Sequence, residues 1–195
     1  MMRETKLNRR QQILETLAME LELSPGETIT TAALAKAVGV SEAALYRHFA
    51  SKAKMFEGLI EFIEESVFGL INRILAEEKS AMIRIEKILQ LVLGFAQKNP
   101  GLTRLLMGDV LVGETDRLRK RIDKFYERLE TQLKQVIREG EAAQELKSGQ
   151  LVAAKANLIL TVMQGKIQQF VRTEFKSQPL DLWEEQWQML RSGLN

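Results

Sequence analysis

The sequence predicts an all-α protein, and three observations carry that prediction. Apolar residues recur at three- and four-residue spacing along nearly the whole chain. No stretch of useful length alternates apolar and polar residues with the period of a strand. The three prolines, Pro25, Pro100 and Pro179, fall only between periodic segments.

The pattern divides into nine helices. A first helix runs from about Asn8 to Leu23, with Ile13, Leu14, Leu17, Ala18 and Leu21 on one face, Asn8 as its cap and Ser24-Pro25-Gly26 as its stop. A second starts after Thr31, whose hydroxyl suits an N-cap, and stops at Gly39. A third, very short, follows Ser41, and a long fourth follows Ser51 and reaches about Glu78. Ser80 begins a fifth, closed by Asn99-Pro100-Gly101, and a short sixth covers about Leu102 to Leu111. The seventh spans about Asp116 to Glu139. The eighth, about Ser148 to Lys176, is apolar on more than one face between Leu151 and Val171 and carries Ala153, Ala154, Ala156 and Gly165. A helix apolar all round is covered on several sides, and small residues let neighbouring backbones approach. The ninth, about Leu180 to Leu194, bears Trp183, Trp187, Leu190 and Leu194 on one face. Leu160, Trp183, Trp187 and Leu190 are therefore expected to be covered, as a dimer interface if the chain pairs with a copy of itself, the alternative being that they fill the subunit's own core.

Composition excludes several function classes. A chain of 195 residues with 45% apolar and 28% charged residues is globular and large enough for a core of its own. It has no cysteine and one histidine, so disulfides, thiolate metal sites, cysteine nucleophiles and His-rich metal centres are excluded. No cofactor is expected. Neither a Gly-rich phosphate loop nor a Ser-His-Asp constellation is present, and adjacent acids such as Glu64-Glu65, Glu77-Glu78 and Glu184-Glu185 point about 100° apart on a helix. The expectation is that the protein is not an enzyme. The stretch MMRETKLNRRQQ is polar and no apolar run reaches about 18 residues, so neither a signal peptide nor a membrane span is expected and the chain reads as cytoplasmic.

The net charge of +2 is uninformative, but its distribution is not. Basic residues cluster at residues 1–10, at 30–54 (Lys36, Arg47, Lys52 and Lys54 against Glu42) and at 117–138, where eight face three acids. The second cluster coincides with TTAALAKAVGVSEAALYRHFASKAKMF, residues 30–56. Two short helices joined through Gly39 and capped by Ser41 make a helix-turn-helix, whose second helix enters the major groove of DNA in proteins of that kind. Ser41, Glu42, Ala43 and Ala44 would face base edges, the two alanines offering methyl contact with thymine and Glu42 an acceptor for a cytosine amino group. Tyr46, Arg47, His48 and Lys52 suit phosphate oxygens, as do Thr30 and Thr31 at a helix N-terminus. The same geometry also occurs in proteins that never meet DNA.

The segment VGVSEAALYRHFASKAKMF, preceded by ITTAALAKA, resembles the DNA-binding domain of the TetR-type regulators. The resemblance implies a nine-helix fold, with a helix-turn-helix domain at residues 1–56 and a helical dimerisation and partner-binding domain at 57–195, and a homodimer closed by the last two long helices. Four further blocks, LIEFIEES (59–66), GFAQKNPGLTRLL (94–106), RLRKRIDKFYERLETQLKQVIRE (117–139) and FVRTEFK (170–176), are similar to the nucleoid occlusion factors within that family. What this implies is a nucleoid-associated dimer that reads near-palindromic duplex DNA, binds the division GTPase FtsZ and blocks division-ring assembly over the chromosome. The resemblance further implies an FtsZ-docking face of Phe62 with Leu91, Gly94, Lys98 and Asn99, where Phe62 lies beside a flat Gly94. The alternative is a ligand-responsive repressor, with Gln90, Gln97, Thr161 and Gln164 lining a pocket.

Overall fold

The computed structural model describes residues 8–26, 28–111 and 116–194. Among them there are nine α-helices and no strand: α1 (Arg9–Leu23), α2 (Thr31–Val38), α3 (Glu42–His48), α4 (Lys52–Glu77), α5 (Ala81–Lys98), α6 (Pro100–Met107), α7 (Asp116–Ala142), α8 (Val152–Arg172) and α9 (Trp183–Leu194). The all-α expectation holds, and most boundaries fall where capping residues put them. Asn8, Ser41, Ser51 and Ser80 each accept a first-turn amide with the side chain, leaving fewer orphan donors. One cap moves: Thr30, not Thr31, accepts from the Ala33 amide, so α2 begins one residue earlier than expected. Gly39 ends α2 at φ 76°, a left-handed conformation that a side chain would strain.

The two C-terminal helices are shorter than their periodicity predicts. Glu174 and Phe175 adopt φ of 50° and 65°, which breaks the helical path after Arg172. Leu182 does the same at φ 57° just before Trp183. The start of α8 shifts to Val152 because the preceding residues make a stapled reversal. There Glu145 accepts from the Ala81 and Met82 amides at 2.7 and 2.9 Å and from the Ser80 hydroxyl, so a residue after α7 caps α5. Burial alone pushes the Glu145 carboxyl up, but those donors and the nearby Arg84 charge outweigh it and hold its pKa below the ordinary value. The buried Lys155 ammonium on α8 donates to Glu141 at 3.0 Å and to the Lys147 carbonyl, tying α8 back to the same reversal.

A single continuous apolar cluster runs from Ile13 in α1 to Leu194 in α9. Leu34, Ala35, Val38 and Leu45 lock α2 and α3 against Ile13, Leu17 and Leu21 of α1. In the body, Leu89, Leu93, Leu129, Leu133, Ile159 and Met163 interdigitate where α5, α7 and α8 meet. Leu160, Trp183 and Trp187 are only 6, 5 and 1% exposed within this one chain, and Leu190 is partly buried against the same core. Within the one chain these three side chains pack into the subunit's own core, which leaves them little surface for a partner. The rings of Trp183 and Trp187 stack at 5.9 Å there.

Two features join the helix-turn-helix to the body. Gly101 of α6 lies so close to α1 that a Cβ would stand 2.0 Å from the Ala18 carbonyl oxygen, a contact only glycine permits. Beside it the buried Arg104 guanidinium donates to the Leu21 and Ser24 carbonyls at 2.7 and 2.8 Å and to Asp109 at 2.9 Å. It collects the carbonyls that the end of α1 leaves unpaired.

Candidate nucleic-acid interface and partner groove

The packing of α2 and α3 on α1 turns one surface of the helix-turn-helix outward. Ser41, Glu42, Ala43, Tyr46, Arg47 and His48 are exposed on it, while Ala44 is half-buried. Leu45, on the opposite side of α3, is fully buried, which fixes the rotation of the helix. Arg47 and His48 occupy the last turn of α3. Lys52 opens α4, its ammonium 5.4 Å from the Phe56 ring centre. Thr30 is exposed at the start of α2, and the neighbouring Thr31 is half-buried. The ten residues expected at a DNA surface therefore lie on α2, α3, the turns capping them and the first turn of α4.

Within that surface three side chains are already joined. The Thr31 hydroxyl donates to Glu42 Oε2 at 2.9 Å, and the Tyr46 hydroxyl lies 3.4 Å from Thr31 Oγ1 as its donor. Thr30 and Ser41 differ, because each hydroxyl oxygen accepts a backbone amide at 3.1 and 3.2 Å and donates to no group among the described residues. Arg10 near the start of α1 lies with its guanidinium 4.5 Å from the Phe49 ring centre, at the end of α3. That cation is part of the same region and was not singled out from the sequence. Its signal there was only the Arg9-Arg10 pair.

A second feature is a groove of about 470 Å³ between α1 on one side and α4, the end of α5 and the start of α6 on the other. Phe62, Lys98 and Asn99 line it, with Phe62 51% exposed although aromatic. The Asn99 side-chain amide is held by the Phe95 carbonyl at 2.8 Å. Leu91 and Gly94 are not in its lining. Leu91 packs partly buried against the core, and a Cβ on Gly94 would meet Leu180 Cδ1 at 3.8 Å. The expected single edge therefore splits, because the chain entering α9 covers part of α5. The wall that sequence reasoning missed belongs to α1: Leu14, Ala18 and Met19 face the groove, with Glu15 and Glu22 at its rim. Met19, 60% exposed, lies off the apolar stripe of the first helix, and that displacement was the available signal.

Two arginines at the start of α7 reach acids of α4, although Arg117 stays largely exposed. Arg121 donates to Glu64 at 2.6 Å and to the Glu57 carbonyl at 3.3 Å, and Arg117 lies 3.5 Å from Glu57. The Lys54 hydrogen bond at 2.7 Å, with the charges of Arg117 and Arg121, holds Glu57 below its ordinary pKa against the opposing effect of burial.

The four polar residues considered for an effector pocket do not converge. Thr161 is exposed, Gln97 accepts from the Leu180 amide at 3.4 Å, Gln90 borders a surface cleft with Leu180 and Trp183, and Gln164 is half-buried on α8. Among the described residues, no group of three or more His, Asp or Glu side chains is placed to hold a metal ion, and no helix is long and apolar enough to cross a membrane.

Comparison with known proteins adds identity to this geometry. The family described as bacterial regulatory proteins of the tetR family matches residues 13–59. The SlmA-like family of tetracyclin repressor-like C-terminal domains matches residues 79–195. The nucleoid occlusion factor SlmA of Marinomonas sp. is 60% identical over 189 residues, covering 97% of this chain and 96% of that protein. The nucleoid occlusion factor SlmA of Alteromonas mediterranea is 57% identical over 186 residues, with 93% of each chain covered. A TetR transcription regulator from Haloarcula marismortui has the same fold with a TM-score of 0.79 at 18% identity, over 95% of this chain and 97% of that one.

Proposed function

Because the chain belongs to the TetR family of DNA-binding regulators, and within it to the SlmA nucleoid occlusion factors, we propose that its DNA-bound homodimer docks the division GTPase FtsZ and so keeps the division ring off the chromosome. The protein then works in the cytoplasm on the nucleoid. The observation that carries the reading is the groove. One of its walls is α1, the helix on which the DNA-reading helices pack, and the other is the body. An extended peptide lying there touches both parts of the molecule, divided at about residue 56.

On the DNA side, Thr30, Tyr46, Arg47, His48 and Lys52 supply phosphate contacts, and Ala43 and Ala44 approach base edges. Two such surfaces in a dimer read a near-palindrome with half-sites about 34–36 Å apart. The dimer surface is the outward face of α8 and α9. Ala154, Leu158 and Gly165 share one face of α8, with Leu158 55% exposed, and Met189 is 74% exposed on α9. Exposed apolar side chains beside small residues suit close helix packing.

In the groove, Phe62, Leu59 and Leu14 give an apolar floor, and Lys98 offers an ammonium to an acidic peptide. Glu15 and Glu22 on the facing rim oppose a peptide acidic along its whole length. The occupant therefore has an apolar centre with its acids toward Lys98. The test is co-sedimentation with FtsZ polymers in the presence and absence of specific DNA. Phe62→Glu and Lys98→Glu are expected to keep dimerisation and DNA affinity and to lose co-sedimentation. Retention of FtsZ binding by both variants overturns the groove as the docking face. Loss of DNA binding together with FtsZ binding marks the residues as structural.

A further inference from the structure

The exposed carboxylate of Glu42 stands on the surface that faces DNA, where phosphates would repel it. Its geometry accounts for its presence. The Tyr46 hydroxyl points to Thr31 Oγ1 at 3.4 Å, and the Thr31 hydroxyl points to Glu42 Oε2 at 2.9 Å. Each hydroxyl has one proton, so both protons run toward the carboxylate, and a hydrogen bond ending on a charge is the stronger kind. The chain links the first turn of α2 to the first and second turns of α3. Those are the two helices whose mutual angle sets how the reading helix enters the groove. Across this outer side the apolar contacts are small, because Ala32, Ala33 and Ala43 are exposed.

We propose that Glu42 is a positioning residue: through Thr31 it braces α2 against α3 and so preserves sequence discrimination, and it reads no base itself. The inference rests on the DNA-binding reading above and deepens it. Three assignments follow. Thr31 spends its proton inside the protein and gives none to DNA. Thr30 and Ser41, whose oxygens accept backbone amides and whose protons go to no group among the described residues, are the hydroxyl donors to phosphate. Tyr46, held by the longer of the two links, turns its proton to a phosphate on binding while the Thr31–Glu42 bond stays.

The experiment is a double-mutant cycle read by DNA affinity. Glu42→Ala, Thr31→Val and the double variant are titrated with the preferred site and with a scrambled duplex at fixed salt. Thermal melts accompany each titration to confirm folded protein. The brace predicts that each single variant lowers the ratio of specific to non-specific affinity about fivefold, the size expected for one charge-assisted hydrogen bond at an exposed site. The double variant is then no worse than either single one. Glu42→Gln keeps an acceptor for Thr31 without the charge. It is expected to retain the preferred sequence and the ratio while raising affinity for every duplex, with the gain shrinking as salt is added. Additive losses in the double variant, or a Thr31→Val protein with an unchanged ratio, overturn the brace. A changed base preference at one position in Glu42→Gln also overturns it, and makes Glu42 a base reader. If none of the variants or the parent protein distinguishes the two duplexes, it is the DNA-binding reading that fails rather than the brace.

Discussion

Replacing Arg104 by Met removes the guanidinium that joins the end of α1 to α6. The side chain is 2% exposed and donates to the Leu21 carbonyl at 2.7 Å, the Ser24 carbonyl at 2.8 Å and the Asp109 carboxylate at 2.9 Å. Hydrogen bonds from a charged donor contribute about 1.5–3 kcal/mol each, and the two carbonyls lose their partner in a poorly hydrated place. Asp109 keeps 38% of its side-chain surface, so water takes over much of its solvation and the loss there is smaller. The methionine recovers part of the deficit by filling the space with an apolar chain of similar length. The sum is a loss of about 3 kcal/mol, at the lower end of what breaking a buried ion pair costs. A change of that size lowers the melting temperature by roughly 6–12 °C for a chain of this length. The assay is urea unfolding at one fixed protein concentration, because a dimer's apparent stability varies with concentration. Hydrogen exchange supplies the location, since the amides in the last turn of α1 are expected to lose protection before those of α5 and α8. Arg104→Lys keeps the charge but not the fork and is expected to lose about half as much. A loss below about 1 kcal/mol in Arg104→Met, with α1 as protected as before, refutes the reasoning.

Gly101→Ala is expected to push α1 from α6, because its Cβ would stand 2.0 Å from the Ala18 carbonyl oxygen. Weaker DNA binding with a lower melting temperature is the measurement. Trp187→Ala empties a site that is 1% exposed and is expected to cost about 3–5 kcal/mol in chemical unfolding. Leu158→Glu, placed where the side chain is 55% exposed, is expected to leave a folded monomer in sedimentation. Glu145→Gln tests the cap on α5. The folded carboxyl has a pKa below the ordinary 4.5, so its contribution is present above that value and lost as pH falls through the lower, folded one. The stability gap between parent and variant is accordingly expected to be full at neutral pH and to close below about pH 4.5 in acid titrations of unfolding.

The local features were legible in the residues themselves. Ser41, Ser51 and Ser80 cap helices by bonds that reach only three residues along the chain, and Gly39 ends a helix by its own φ. The buried face of α3 and the exposure of Tyr46, Arg47 and His48 follow from one period of 3.6 residues, so the reading surface was in view as soon as that helix was placed. The apolar stripe of Trp183 and Trp187 was equally visible, but periodicity says only that a face is covered, not by which chain. Their burial in the protomer's own core was decided by the left-handed Leu182 and the packing of the segment before it, which no local pattern records. The same holds for the groove. Phe62 and Lys98 meet Met19 there across a large sequence separation, while Gly94, four residues from Lys98, is turned toward Leu180. Arg104 and Glu42 show the limit most plainly. A sequence states that a guanidinium or a carboxylate is present, whereas its partners are set by which backbones the tertiary fold brings within about 3 Å.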